Sequence, residues 1–127
     1  MERKQLTKAE TQVMNVLWSL PDKSGTSAEM LECMPEPKPA LTTLLTFLKI
    51  LREKGFVTAE KVGKAQRFHA VVTKEDYMRS YMKEVKQTFF GGSLTSLVSF
   101  FAREEHLSDQ EVNEIIDIIK KRKENTQ

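Results

Sequence analysis

A mainly α fold with a small β-hairpin is predicted by three features of the sequence. Apolar residues recur at helical spacing in the first third of the chain. Two short alternating segments follow, hinged at Val62-Gly63-Lys64. Further helical stripes then run to the C-terminal end. The chain has 127 residues, room for one domain or for a small domain with an appendage.

Thr7 and Glu10 have the spacing of a capping box, in which hydroxyl and carboxylate satisfy amides at a helix start. Ala9, Val13, Val16, Leu17 and Leu20 continue at helical spacing, with Met14 and Trp18 widening the stripe. Pro21 stops this helix, because it supplies no amide and restrains the residue before it. PDKSG reads as a turn. Thr26 and Glu29 form a second box before a short helix holding Ala28, Met30 and Leu31. PEPKP is a bend. A third helix starts near Ala40 and ends at Gly55, a residue suited to the left-handed position after a helix. FVTAEK and AQRFHAVV then form the hairpin, with Phe68, Ala70 and Val72 on the face that covers a core. Helix, helix, helix, hairpin is the order of a winged helix-turn-helix.

Thr73 and Asp76 open another helix, which carries Tyr77, Met78, Tyr81, Met82, Val85, Phe89 and Phe90. FGGS interrupts it. LTSLVSFF is short and very apolar and ends at AREEH. Ser108 and Glu111 open a last helix with Val112, Ile115, Ile116, Ile118 and Ile119. These stripes exceed what a small monomer can easily hide, so a second copy is expected to cover them. The expected organisation is a winged-helix DNA-binding domain over residues 1–72 and a helical dimerisation domain over 73–127.

Charge and composition narrow the function. Residues 1–72 carry 11 basic and 8 acidic side chains; residues 73–127 carry 9 and 10. The front half is therefore the better candidate for a polyanion. No run approaches the roughly 20 apolar residues that span a bilayer, and MERKQLTKAE lacks the apolar stretch of a signal peptide. A cytoplasmic protein without stable membrane association is expected. Cys33 is the single cysteine, which excludes an internal disulfide, and it is expected as a buried or half-buried filler. With two histidines, His69 and His106, far apart in sequence, nothing calls for a catalytic centre, a metal or a cofactor.

The third helix carries the chemistry. Leu41, Leu44, Leu45, Leu48 and Leu51 make its buried stripe, broadened by Phe47 and Ile50. Thr42, Thr46, Lys49 and Glu53 lie on the other side, with Thr43 beside them. Threonine offers a methyl to thymine and a hydroxyl to base or phosphate, and lysine reaches guanine or the backbone. Thr42, Thr43, Thr46 and Lys49 are therefore the expected groove face. Lys61, Lys64 and Arg67, on or near the hairpin tip, are the expected contacts to flanking phosphates. Periodicity alone leaves a solvated helix face open, and with it an adaptor that binds protein or a DNA binder of little sequence preference.

The chain resembles the penicillinase-repressor and methicillin-resistance-repressor family over nearly its full length. The resemblance rests on four segments in order: LTKAETQVMNVLW, TSAEMLECM, TTLLTFLKILREKGFVTAEKVGKAQRFHAV, and FFGGSLTSLVSFFAREEHLSDQEVNEI. It implies a dimeric winged-helix repressor of an antibiotic-resistance or related operon, bound to a palindromic operator on double-stranded DNA. It places Thr43, Leu45 and Thr46 at the front of the groove-facing helix, with Leu45 standing where the family commonly has a basic residue. Family members are released when a membrane sensor protease causes cleavage at an Asn-Phe bond. The matching pair here is Ser99-Phe100, expected between helices. The extra C-terminal cysteines of a copper-responsive branch are missing from this tail.

Overall fold

The computed structural model describes residues 5–125. Helix α1 spans Lys8–Ser19 and is followed by a short 3-10 turn at Pro21–Lys23. Strand β1 is Ser24–Thr26, α2 is Ser27–Cys33 and α3 is Leu41–Glu53. Strands β2, Val57–Val62, and β3, Ala65–Ala70, come next. Helices α4, Lys74–Phe90, α5, Leu94–Glu104, and α6, Asp109–Asn125, complete the chain. Two compact units result, Met1–Met82 and Lys83–Gln127.

Local chemistry sets the helix ends. Both capping boxes close: the Glu10 amide donates to the Thr7 hydroxyl at 3.2 Å and the Thr7 amide to the Glu10 carboxylate at 3.0 Å. Thr26 and Glu29 repeat the pair at 3.2 and 3.0 Å. At the end of α3 the Gly55 amide donates to the Arg52 carbonyl and the Phe56 amide to the Leu51 carbonyl, the two bonds of a Schellman motif. Gly55 takes φ +83°, a value that only glycine adopts without strain, and the turn drops Phe56 into the core with no exposed surface.

The first unit is a winged helix-turn-helix. Its sheet has three antiparallel strands in the order β1-β3-β2, one more than the expected hairpin. Ser24 and Gly25, expected within a turn, instead pair with His69 and Phe68. Three polar or small residues carry no alternation to reveal such a strand; its partner is more than forty residues away in the chain. The core joins Val13, Met14 and Leu17 of α1, Met30 of α2, Leu44, Leu48 and Leu51 of α3, and Phe68 of β3. Leu41 and Leu45 were expected in this stripe but stand 46% and 41% exposed. Leu44, Leu48 and Leu51 are the buried residues of α3, with Phe47 partly buried beside them, so the buried arc is narrower than the apolar composition of the helix.

The start of α4 belongs to the same core. Tyr77 is 8% exposed and lies among Trp18, Phe56 and Tyr81, with ring centroids 6.2, 5.6 and 6.0 Å away. Its hydroxyl accepts from the Leu6 amide at 3.0 Å. Trp18 donates its indole N–H to the Val72 carbonyl at 2.9 Å, as buried aromatics with polar tips require. Packing therefore carries the first unit past residue 72, into the first turns of α4.

One ion pair is held inside. Lys54 Nζ lies 2.6 Å from Glu10 Oε1, and the Glu10 side chain is 5% exposed. Burial pushes the Glu10 carboxyl pKa up, but the Lys54 ammonium, the Thr7 amide and the Thr7 hydroxyl outweigh it and hold it below its ordinary 4.5. A depressed carboxylate stabilises the fold above that ordinary value, and the contribution disappears as pH falls through the lower, folded value. Glu10→Gln is expected to cost about 1–3 kcal/mol near neutral pH. Urea titrations of both proteins check it: the gap should close as the pH drops well below 4.5.

Candidate nucleic-acid interface

The exposed side of α3 is built by subtraction. Leu44, Leu48 and Leu51 turn inward, and Phe47 packs partly against them. Thr42, Thr43, Thr46 and Lys49 are all exposed. Thr42, Thr46 and Lys49 follow one another at four and three residues, the spacing of one helical face. Leu45, 41% exposed, adjoins this face rather than the buried edge. The Thr46 hydroxyl donates to the Thr42 carbonyl at 3.0 Å. That bond commits the Thr46 hydroxyl proton to the helix backbone.

Helix α2 precedes α3 through the bend at 34–40, and Lys38 closes its end by donating to the Glu32 carbonyl at 3.0 Å. The pair α2–α3 is the helix-turn-helix, with α3 as the second member.

The hairpin separates the three cations expected on it. Lys61 pairs across from Gln66, and Lys64 sits in the turn between Val62 and Ala65. Both are exposed. Arg67 is further from the tip and is engaged by the protein. Its Nε donates to Ser24 Oγ at 2.8 Å and its Nη1 to Glu29 Oε1 at 3.1 Å. Thus Arg67 joins β3, β1 and the cap of α2. The Thr26 amide, the Thr26 side chain and Arg67 together hold the Glu29 carboxyl below its ordinary pKa. His69 lies 3.2 Å from Glu60 across the β2–β3 pair. Sequence spacing could not show that Arg67 is engaged, because its partners come from β1 and α2.

Cys33 is exposed at the last residue of α2, contrary to the expected filler; Met30 is the buried residue of that short helix. Among the described residues no group of three or more His, Cys, Asp or Glu is arranged to hold a metal ion. No described helix is long and apolar enough to cross a membrane.

The Lys83–Gln127 unit has a different character. None of its described residues is buried. Gly91 and Gly92 take φ +56° and +83° and end α4, and the Ser93 hydroxyl accepts from the Ser96 amide at 3.0 Å to start α5. Phe90, Phe100 and Phe101 form a ring chain with centroid spacings of 5.8 and 5.9 Å. Ser99 and Phe100 lie in the middle of α5 and not in a connector between helices. The cap at Ser93 and the helix-forming run after Phe101 extend one helix through that bond. On α6, Val112, Ile115, Ile116 and Ile119 share a face, and Ile115 and Ile116 are each 41% exposed.

Residues 6–121 match the family described as Penicillinase repressor. The methicillin resistance regulatory protein MecI of Staphylococcus aureus is 27% identical over 119 residues, covering 93% of this chain and 95% of that protein. The penicillinase repressor of Bacillus licheniformis is 27% identical over 119 residues, covering 94% of this chain and 92% of that protein. Among solved structures, a mutant of ZitR from Lactococcus lactis matches at 16% identity and a TM-score of 0.42, over 98% of this chain and 77% of that one.

Proposed function

The chain belongs to the penicillinase repressor family, a family of DNA-binding transcriptional repressors rather than enzymes, and from that premise we propose a dimeric, sequence-specific repressor of an antibiotic-resistance or related operon. The observation that carries the reading is the exposed Thr42–Thr46–Lys49 face on the second helix of a helix-turn-helix. Such a helix fits the major groove, where its N-terminal residues meet base edges. Thr43 and Leu45 border that face. Lys61 and Lys64 approach phosphates from the wing. Arg67 serves chiefly to hold β3 to α2, and any phosphate contact it makes competes with Glu29.

Dimerisation is supported by the second unit, whose described residues all retain exposure in a single chain. A helical unit without buried side chains does not repay its ordering entropy. Covering the α5 and α6 faces with those of a second copy resolves this. Two α3 helices related by a two-fold axis then address half-sites about 34 Å apart, one turn of DNA, which is a palindrome. Repression is steric: the bound dimer occludes the promoter.

Release by proteolysis at Ser99-Phe100 fits the family resemblance but carries a structural condition. The bond is inside α5, so a sensor-linked protease acts only after local opening of that helix. Cleavage there separates α6 from the rest of the chain and weakens the dimer.

A DNA binder of little sequence preference is the competing reading, favoured by the lack of Arg, Asn and Gln in the first turns of α3. The two are separated by paired variants. Lys49→Ala is expected to weaken a duplex selected by the protein more than a scrambled one. Lys64→Ala is expected to weaken both alike and to reduce the slope of log affinity against log salt by about 0.9 per phosphate lost. Titrations of both duplexes over a salt series measure these effects. Equal losses for Lys49→Ala on both duplexes favour the non-specific binder. An unchanged slope for Lys64→Ala leaves the wing as scaffold.

A further inference from the structure

The geometry points to thymine methyl groups as the feature that α3 reads, through the exposed Leu41 and Leu45 and, on the adjoining side of the helix, the methyl of Thr46. This rests on the DNA-binding reading above and specifies the sequence class it recognises.

Two observations lead there. The first is what the leading two turns of α3 contain: Leu41 to Leu48 read LTTLLTFL, without arginine, lysine, asparagine or glutamine. Guanine is read by paired donors from arginine or lysine, and adenine by the amide of asparagine or glutamine. Those turns hold neither. Their side-chain polar groups are three threonine hydroxyls, and that of Thr46 is already given to the Thr42 carbonyl. The second is where the leucines stand. Leu41 and Leu45, 46% and 41% exposed, are one helical turn apart and outside the core, which Leu44, Leu48 and Leu51 fill without them. Thr46 is exposed on the adjoining side of the helix, and with its hydroxyl proton committed to Thr42 its methyl is the group it has left to offer a base. In the major groove the one apolar group a base pair presents is the C5-methyl of thymine. Apolar surface on a groove-facing helix therefore discriminates thymine from cytosine by contact, with Lys49 supplying a cation one turn further on.

The chemistry predicts half-sites in which thymines lie side by side or on opposite strands of adjacent pairs, within reach of two turns of helix. It also predicts that the methyls, not the hydrogen-bonding edges, carry much of the preference.

Deoxyuridine removes that methyl and leaves the Watson–Crick edge intact. The full-length protein is titrated with a duplex it has itself selected from a random library, with thymine and with deoxyuridine, and with a scrambled duplex in both forms. Loss of one contacted methyl should weaken binding about fourfold, and one in each half-site about 15-fold. The scrambled duplex should change little. Leu45→Ala and Thr46→Ser each remove part of this apolar surface, and both should bring the thymine-to-deoxyuridine affinity ratio of the selected duplex toward one. Thr46→Ser keeps the hydroxyl, so its effect isolates the methyl. Equal affinity for thymine and deoxyuridine forms of the selected duplex overturns the methyl reading while leaving a sequence-specific repressor in place. A methyl effect unchanged in both variants overturns the assignment to α3. Failure to prefer any selected duplex over the scrambled one overturns the underlying function as well.

Discussion

Tyr77→Ala should destabilise the first unit by about 3–5 kcal/mol, the range for removing a buried aromatic ring. The ring contacts Trp18, Phe56 and Tyr81, so its loss opens a cavity shared by α1, the α3–β2 turn and α4. It also leaves the Leu6 amide without its acceptor. Tyr77→Phe keeps the ring and removes the hydroxyl, and should cost only about 1–3 kcal/mol, the penalty for an unsatisfied buried amide. The same geometry predicts that a chain ending at Val72 is much less stable than one ending at Met82. Urea denaturation followed by tryptophan fluorescence measures all four proteins, because Trp18 reports the affected core. A Tyr77→Ala protein as stable as wild type would detach α4 from the winged helix.

Ile116→Asp is expected to have the larger functional effect. Ile116 lies on the α6 face with Val112, Ile115 and Ile119, and a buried carboxylate without a partner in a dimer interface is strongly unfavourable. The variant should sediment as a monomer at micromolar concentration, while wild type sediments as a dimer. Affinity for a two-half-site duplex should fall about 100-fold or more, since each half must then bind on its own. Asp117→Asn, off that face, is the matched control and should alter neither property. Because α6 lies outside the first compact unit, the thermal transition of the winged helix is expected to persist in both variants. A monomeric wild type, or a dimeric Ile116→Asp protein with full affinity, would remove α6 from the interface.

Local signals in the sequence were sufficient for most of the fold. Thr7 with Glu10 and Thr26 with Glu29 announced two helix starts because capping chemistry acts over three residues. Gly55 announced a helix end for a similar local reason. Strand β1 escaped because its pairing partner, β3, is remote and its three residues carry no period. Tyr77 was read on a back-half stripe, since spacing tells that a side chain seeks cover but not which surface provides it. The site shows the same division. Thr42, Thr46 and Lys49 share a face by helical arithmetic alone. Leu45 sits at the margin of the apolar arc, and whether a marginal residue is covered depends on the neighbours of α3. Arg67 looked like a free wing cation until its partners on β1 and α2 were known. The Ser99-Phe100 bond looked like a connector because a short apolar run between glycine and charged residues suits either a loop or a buried helix.

On the proposed function, α3 gives this repressor its sequence preference and a dimer uses it twice. The most direct measurement is the affinity of the full-length chain for a selected palindromic duplex against a scrambled duplex of equal length, taken at several salt concentrations. Specific recognition predicts a ratio of about 10³ or more near physiological salt, persisting as both affinities fall with added salt. A ratio near one at every salt concentration, with the two duplexes following the same slope, would contradict it.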